Sequence, residues 1–149
     1  MSEKVELSRL TFEKLVAHLV NIEEGKNQLL EEYFPVLSKD RNEISILLEK
    51  YIAKIDYLIR NDLVVVQVSD NNFPFVAIYC EVEVQDLENG ELQKLRIVPP
   101  FKNDEANDVS FLSPAGRSLL LRNVADKAVV KAPGGEFHYI IKSIRLRFT

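Results

Sequence analysis

Val109–Lys142 reads VSFLSPAGRSLLLRNVADKAVVKAPGGEFHYIIK, and its punctuation decides the second half of the chain. Val109–Leu112 is a short apolar run, predicted as a strand. Ser113 followed by Pro114 predicts a helix start, with Ser as N-cap and Pro at the first helical position. Leu119, Leu120 and Leu121 supply that short helix with a buried face. Ala128–Lys131 and Phe137–Phe148 are predicted strands, joined as a hairpin through Pro133-Gly134-Gly135. In the last strand Phe137, Tyr139 and Ile141 alternate, after which Ile144 and Leu146 fall on the opposite phase. A bulge near Lys142-Ser143 would absorb that slip. Lys142, Arg145 and Arg147 in this strand read as a basic edge that discourages further pairing.

Upstream, three more strand-like runs precede this block: Leu63–Val68, Val76–Val84 and Leu92–Val98. Asn71-Asn72 with Pro74 separates the first two, and Glu88-Asn89-Gly90 the next two. Pro99-Pro100 opens a polar loop, Lys102–Asp108.

Before Asn61-Asp62 the period is helical. Thr11 is the expected N-cap of a first helix, with Glu13 in its first turn. Phe12, Leu15, Leu19, Ile22, Lys26, Leu29 and Tyr33 recur three and four apart, a heptad seam with one polar interruption at Lys26. Pro35 ends the helix. A second helix starts between Ser38 and Asn42 and carries the seam Ile44, Leu48, Tyr51, Ile55, Leu58. The link between the two is short enough to force antiparallel neighbours. The expected organisation is therefore α+β. Residues 1–62 form an antiparallel coiled-coil hairpin, and residues 63–149 an antiparallel β domain with one short helix.

Composition narrows the function classes. The 149 residues are 46% hydrophobic and 28% charged, with a net charge of -4. Acids outnumber bases 12 to 9 before Leu63 and 11 to 10 after it. Neither part is a basic module, which argues against autonomous nucleic-acid binding. The single cysteine, Cys80, cannot form an internal disulfide and fits a reducing compartment. His18 and His138 lie in different segments, and with one Cys they do not make a closed zinc site. No apolar run reaches the ~20 residues of a membrane span. The opening MSEKVELSR has no apolar core of the signal-peptide kind. A cytoplasmic protein with no membrane contact is expected.

With these residues in place, the chain resembles the Gre family of bacterial transcript-cleavage factors (GreA/GreB-like transcription elongation factors). The resemblance lies in Ser110, Ser113-Pro114 with Arg117, the turn containing Asp126, and Lys131-x-Pro133-Gly134-Gly135-Glu136 before the closing strand. Leu10-Thr11 with Glu13-Lys14-Leu15 is similar to the opening of the family's coiled coil. The resemblance implies an FKBP-like C-terminal domain that docks on bacterial RNA polymerase at its secondary channel. Ser113, Pro114, Arg117, Pro133, Gly134 and Gly135 become the docking-motif candidates. It further implies that the hairpin enters the channel, where tip acids help hold a second magnesium ion and the polymerase hydrolyses backtracked RNA.

On that basis the chain would be no enzyme by itself. It would have no cofactor or metal in isolation, with Mg2+ shared only inside the polymerase, and it would touch RNA or DNA only there. The family's tip pattern is Gly-Asp-Leu-x-Glu-Asn-Ala-Glu-Tyr; here the place reads Ser38-Lys39-Asp40-Arg41-Asn42-Glu43. Asp40 and Glu43 keep the Asp-x-x-Glu spacing and are the candidate tip acids. An N-cap Asp with Glu three residues on is equally a capping-box arrangement. Lys39 and Arg41 are candidates for RNA phosphate contact, or plain surface charges. The arm is expected to be one to two turns shorter than the family's, which favours a regulator that occupies the channel without cleavage. Two alternatives from other classes stay open. A prolyl isomerase or peptide-binding module would need an open, aromatic-lined pocket. A coiled-coil adaptor would need an apolar stripe along the arm.

Overall fold

The computed structural model of the chain describes residues 4–102 and 104–148. Met1, Ser2 and Glu3 of the acidic opening, Asn103 of the expected polar loop, and Thr149 lie outside the described residues. The chain divides into two compact units, residues 1–67 and 68–149.

The first unit contains β1 (Val5–Ser8), α1 (Arg9–Tyr33), α2 (Lys39–Asn61) and β2 (Leu63–Val66). The helices form the expected hairpin. At about 1.5 Å per residue, α1 is roughly 37 Å long and α2 roughly 34 Å. The seam of α2 is the one anticipated: Ile44, Leu48, Tyr51, Ile55 and Leu58 are all buried. The seam of α1 differs. Leu15, Leu19 and Leu30 are buried together with His18, whereas Leu29 is only half-buried and Tyr33 is 39% exposed. A straight helix drifts by about 20° per heptad, which moves the contact from Leu29 to Leu30 toward the far end. The polar interruption is paired across the hairpin, Lys26 Nζ to Glu49 Oε1 at 2.7 Å.

Two features of this unit correct the sequence-based expectation. The N-cap of α1 is Ser8 rather than Thr11; its hydroxyl oxygen accepts from the Thr11 N–H at 3.4 Å. The cap moves because Val5–Leu7 is extended and pairs in parallel with Leu63–Val65. Leu63–Val66 therefore closes the base of the hairpin instead of opening the β domain, and the division falls after Gln67 rather than after Asp62. Parallel strands need a long crossover, and here the whole helical hairpin supplies it.

The second unit is one five-stranded sheet in the order β5-β4-β3-β7-β6 with a short helix. The elements are β3 (Cys80–Asp86), β4 (Leu92–Val98), β5 (Asp108–Ser110), α3 (Pro114–Leu119), β6 (Lys127–Ala132) and β7 (Gly135–Leu146). The sheet is mixed rather than wholly antiparallel, because β5 runs parallel to β4. Val76–Ile78 is buried but lies outside the strand; it is held by Val76 N–H to Arg122 O and Leu121 N–H to Val76 O. The ladder begins only after Tyr79, whose φ of +76° breaks the extended run. The bulge falls where the phase slip places it: Glu83 pairs Ser143 and Val84 pairs Ile141, leaving Lys142 extra. However, Arg145 is paired with Glu81 of β3 on one side and bridged to Asn72 on the other, and Arg147 lies beyond the end of β7, so neither lines an open edge. Both face Glu81, at 3.4 and 3.1 Å.

Candidate functional site

The two groups of site residues belong to different units. In the first, the turn between the helices is Phe34–Ser38. Ser38 is extended, and its hydroxyl oxygen accepts from the Arg41 N–H at 3.1 Å. Asp40 is therefore the second residue of α2 and not its N-cap, so the capping-box alternative does not describe it. Asp40 and Glu43 are both exposed on the opening turns of α2, three residues apart and so on neighbouring positions of one helix face.

The cations beside them do different things. Lys39 Nζ stands 3.9 Å from Glu43 Oε1, a loose, solvated i,i+4 pair. Arg41 reaches back and donates from a guanidinium nitrogen to the Phe34 carbonyl at 2.7 Å, satisfying a carbonyl at the end of α1. Val36 and Leu37 in the turn are 72% and 85% exposed.

Tip chemistry follows from this inventory. Lys39, Asp40, Arg41 and Glu43 sum to zero charge. Among the described residues no group of three or more His, Cys, Asp or Glu could hold a metal ion. A divalent cation at this tip would draw at most two carboxylates from this chain and need most of its oxygen ligands from elsewhere.

In the second unit, Ser113 caps α3, its hydroxyl oxygen accepting from the Gly116 N–H at 3.1 Å, with Pro114 at the first helical position as expected. Arg117 donates from Nε to the Leu112 carbonyl at 3.0 Å. Leu119 and Leu120 are buried, whereas Leu121, at φ +70°, lies beyond the helix and is half-buried. Leu112, Pro114, Arg117 and Ser118 line an open cleft of about 480 Å³ with Val129 and Lys131 of β6. Pro133, Gly134 and Gly135 are exposed at the β6–β7 turn; Gly135 adopts φ +133°, a conformation L side chains rarely take. Three of the docking candidates thus gather around α3, while the Pro-Gly-Gly group marks the turn beyond β6.

Sequence reasoning missed four residues that hold these units in place. Gly116 packs so close to β5 that a Cβ there would lie 2.1 Å from the Ser110 carbonyl oxygen. A glycine inside a helix with no turn to make was the available signal. Arg96 and Asp108 form a buried bidentate pair, at 2.9 and 3.0 Å, linking β4 to the start of β5. Hydrogen bonding to Arg96 holds the Asp108 carboxyl below the usual carboxylate range. Asp108 also accepts from the N–H groups of Asp104 and Glu105, which organises the loop after Pro99-Pro100. Finally, His18 is buried in the hairpin with Nε2 2.8 Å from the Tyr51 hydroxyl, and burial pushes its pKa down to about 4.

The fold has counterparts among known proteins. The family described as "Transcription elongation factor, GreA/GreB, C-term" matches residues 70–146, which is 77 of the 149. Transcription elongation factor GreA of Nitratidesulfovibrio vulgaris (strain DP4) is 40% identical over 65 residues, covering 43% of this chain and 40% of its own length. GreA of Anaeromyxobacter sp. (strain K) is 32% identical over 98 residues, 65% of this chain and 58% of that protein. The matched region thus spans about two fifths to three fifths of these relatives. A GreA/GreB structure from Nitrosomonas europaea shares the fold, with TM-score 0.50 at 19% identity over 97% of this chain and 99% of that one. No helix among the described residues is long and apolar enough to cross a membrane. By the match over more than half of its length, the chain belongs to the GreA/GreB family of transcription elongation factors.

Proposed function

We propose that this chain acts in the cytoplasm on bacterial RNA polymerase, docking through its C-terminal unit at the secondary channel and presenting the hairpin tip toward the active centre to modulate elongation. The observation that carries this reading is the tip itself. A five-residue turn ends two helices of some 34–37 Å, and the first residues beyond it expose Asp40 and Glu43 side by side. Any RNA hydrolysis would be the polymerase's own chemistry, with the chain contributing shape and charge. Membership in an elongation-factor family supports the partner.

Within this reading, a specific observation favours channel occupation over stimulated cleavage. Asp40 is flanked in sequence by Lys39 and Arg41, and Glu43 already faces Lys39 at 3.9 Å. Capturing a hard divalent cation would have to overcome that local neutralisation. The isomerase alternative is disfavoured because the α3/β6 cleft is lined by two cations and no aromatic ring. The adaptor alternative is disfavoured because, among the described residues, no continuous apolar stripe runs along the arm: Leu10 and Val20 of α1 stand about 80° apart, and Ile46 and Tyr57 of α2, about 20° apart, are separated on that face by the exposed Lys50.

Stalled, backtracked elongation complexes test the proposal. The native chain should bind polymerase and change the outcome of backtracking. Cleavage stimulated by the native chain and lost in both Asp40→Ala and Glu43→Ala establishes the catalytic version. Binding that slows or blocks cleavage establishes channel occupation. Absence of polymerase binding refutes the proposal.

A further inference from the structure

The α3/β6 cleft carries a charge opposite to that of the molecule. Residues 110–132 contain Arg117, Arg122, Lys127 and Lys131 against one acid, Asp126, in a chain of net charge -4. Asp126 is engaged locally, its carboxylate accepting from the Asn123 N–H at 2.8 Å. On β6 the side chains of Lys127, Val129 and Lys131 are exposed, while Ala128 and Val130 are buried between them. The acid facing Lys131 across the ladder, Glu136, lies 3.3 Å from His138 Nε2. Arg117 and Lys131 line the cleft together with the apolar surfaces of Leu112, Pro114 and Val129.

We propose that this cleft receives an acidic segment of the polymerase, a carboxylate shared by Arg117 and Lys131 with an adjoining apolar side chain against Leu112, Pro114 and Val129. The inference rests on the docking role proposed above and adds the chemistry of the surface that is recognised. Recognition is by side chains and not by extension of the sheet. The Ser118 hydroxyl donates to the Val129 carbonyl at 3.0 Å, so α3 already occupies the backbone position an added strand would need. A nucleic-acid strand is the poorer occupant, because the lining offers no aromatic face for base stacking. Lys127, further along β6, lies outside the lining and steers the approach.

Binding of the full-length chain to RNA polymerase, measured across about 0.05–0.3 M salt, tests this. Affinity should fall as salt rises. Lys131→Glu should weaken binding by about tenfold or more, and Lys127→Glu by less, mainly through the association rate. Lys94→Glu on β4 makes the same change in net charge away from the cleft and should stay within about twofold of native. Thermal melts of each variant confirm folding, and exposed lysines are chosen so that stability is preserved. Tight, salt-independent binding unaffected by the Lys131 and Lys127 reversals overturns this inference and leaves the docking proposal standing. Loss of all binding by the native chain overturns both. Competition by a single-stranded oligonucleotide that disappears in Lys131→Glu assigns the cleft to nucleic acid and overturns it as well.

Discussion

The two units bury polar groups in opposite ways. The hairpin seals a neutral pair, His18 and Tyr51, into a seam of leucines and isoleucines. The sheet seals a charged pair, Arg96 and Asp108, with side chains 5% and 0% exposed. A neutral imidazole needs one hydrogen bond and no counter-charge, and it fits a two-helix seam that has few polar neighbours. An ion pair needs its remaining oxygens and N–H groups satisfied, and the sheet provides this. Asp108 accepts two backbone N–H bonds, and Arg96 donates to the Arg147 carbonyl at 3.2 Å. The lesson is that polar burial here follows the supply of second partners, and acid should separate the two units.

Breaking the charged pair should have the largest effect. Asp108→Ala leaves the Arg96 guanidinium buried without its carboxylate, which costs about 3–5 kcal/mol. It should also release the loop around Glu105, which Arg147 otherwise pairs. The readout is Cys80, fully buried, with its thiol pushed up to about 12 by desolvation. In the native chain a thiol reagent should modify it only through unfolding of the second unit. In Asp108→Ala that reaction should accelerate in proportion to the stability lost; an unchanged rate would mean the pair contributes little.

Acidification should separate the units next. His18 has a folded pKa of about 4 against an ordinary 6.5, so the unfolded hairpin binds a proton before the folded one does. Its stability is fully present above pH 6.5 and drains away as pH falls toward 4, by about 3 kcal/mol. Asp108 is also depressed, by its bonds to Arg96, but its reference value is already near 4. Its contribution is intact above that value and is lost only as pH falls further. Amide exchange at pH 4.5 should therefore show weakened protection in α1 and α2 with β3, β4 and β7 still protected. His18→Gln, which keeps a hydrogen-bonding group beside Tyr51, should flatten the slope between pH 6.5 and 4. Simultaneous loss in both units would refute the contrast.

Steric tightness gives a third, smaller separation. Gly116→Ala places a methyl group 2.1 Å from the Ser110 carbonyl oxygen, and the contact atom is backbone, which cannot swing aside. We expect a loss of about 1–3 kcal/mol in the second unit, with α3 displaced and the cleft reshaped. Gly25→Ala is the counterpart in the hairpin. Nothing lies within 4 Å of its added Cβ, and helix propensity alone should stabilise α1 by up to about 1 kcal/mol. Opposite signs for two Gly→Ala changes, followed by thermal unfolding, would confirm the difference in packing.

The same contrast explains what was legible beforehand. Heptads report burial directly, so all five seam residues of α2 were visible, as were the Ser113-Pro114 helix start and the bulge at Lys142. What stayed hidden depends on partners far along the chain. Ser8 becomes a cap only because Val5–Leu7 meets Leu63–Val65, some 58 residues later. No local pattern around Thr11 reports that pairing. Arg96 and Asp108 each look like ordinary strand-end charges until β5 lies parallel to β4. His18 sits one position off the expected seam, and its burial depends on Tyr51 across the hairpin, 33 residues away. At the tip, residue types and spacing were visible, but the cap was not. Ser38 and Asp40 are both good N-cap residues, and the choice between them is made by the chain leaving the turn.

That choice has the smallest energetic consequence and the most direct bearing on function. If Ser38 caps α2, Ser38→Ala should cost about 1 kcal/mol of stability, because the Arg41 N–H loses its acceptor. Asp40→Ala then removes a favourable charge in the first turn, about 0.5 kcal/mol, and Glu43→Ala a solvated pair with Lys39, less still. Helix content and melting temperature of the three variants rank them directly. With that order, any change that Asp40→Ala or Glu43→Ala makes to transcript cleavage belongs to the lost carboxylate and not to a frayed helix. With the reverse order, Asp40 would be holding the helix end. Its loss in a cleavage assay would then say nothing about catalysis until a variant with a restored cap was measured beside it.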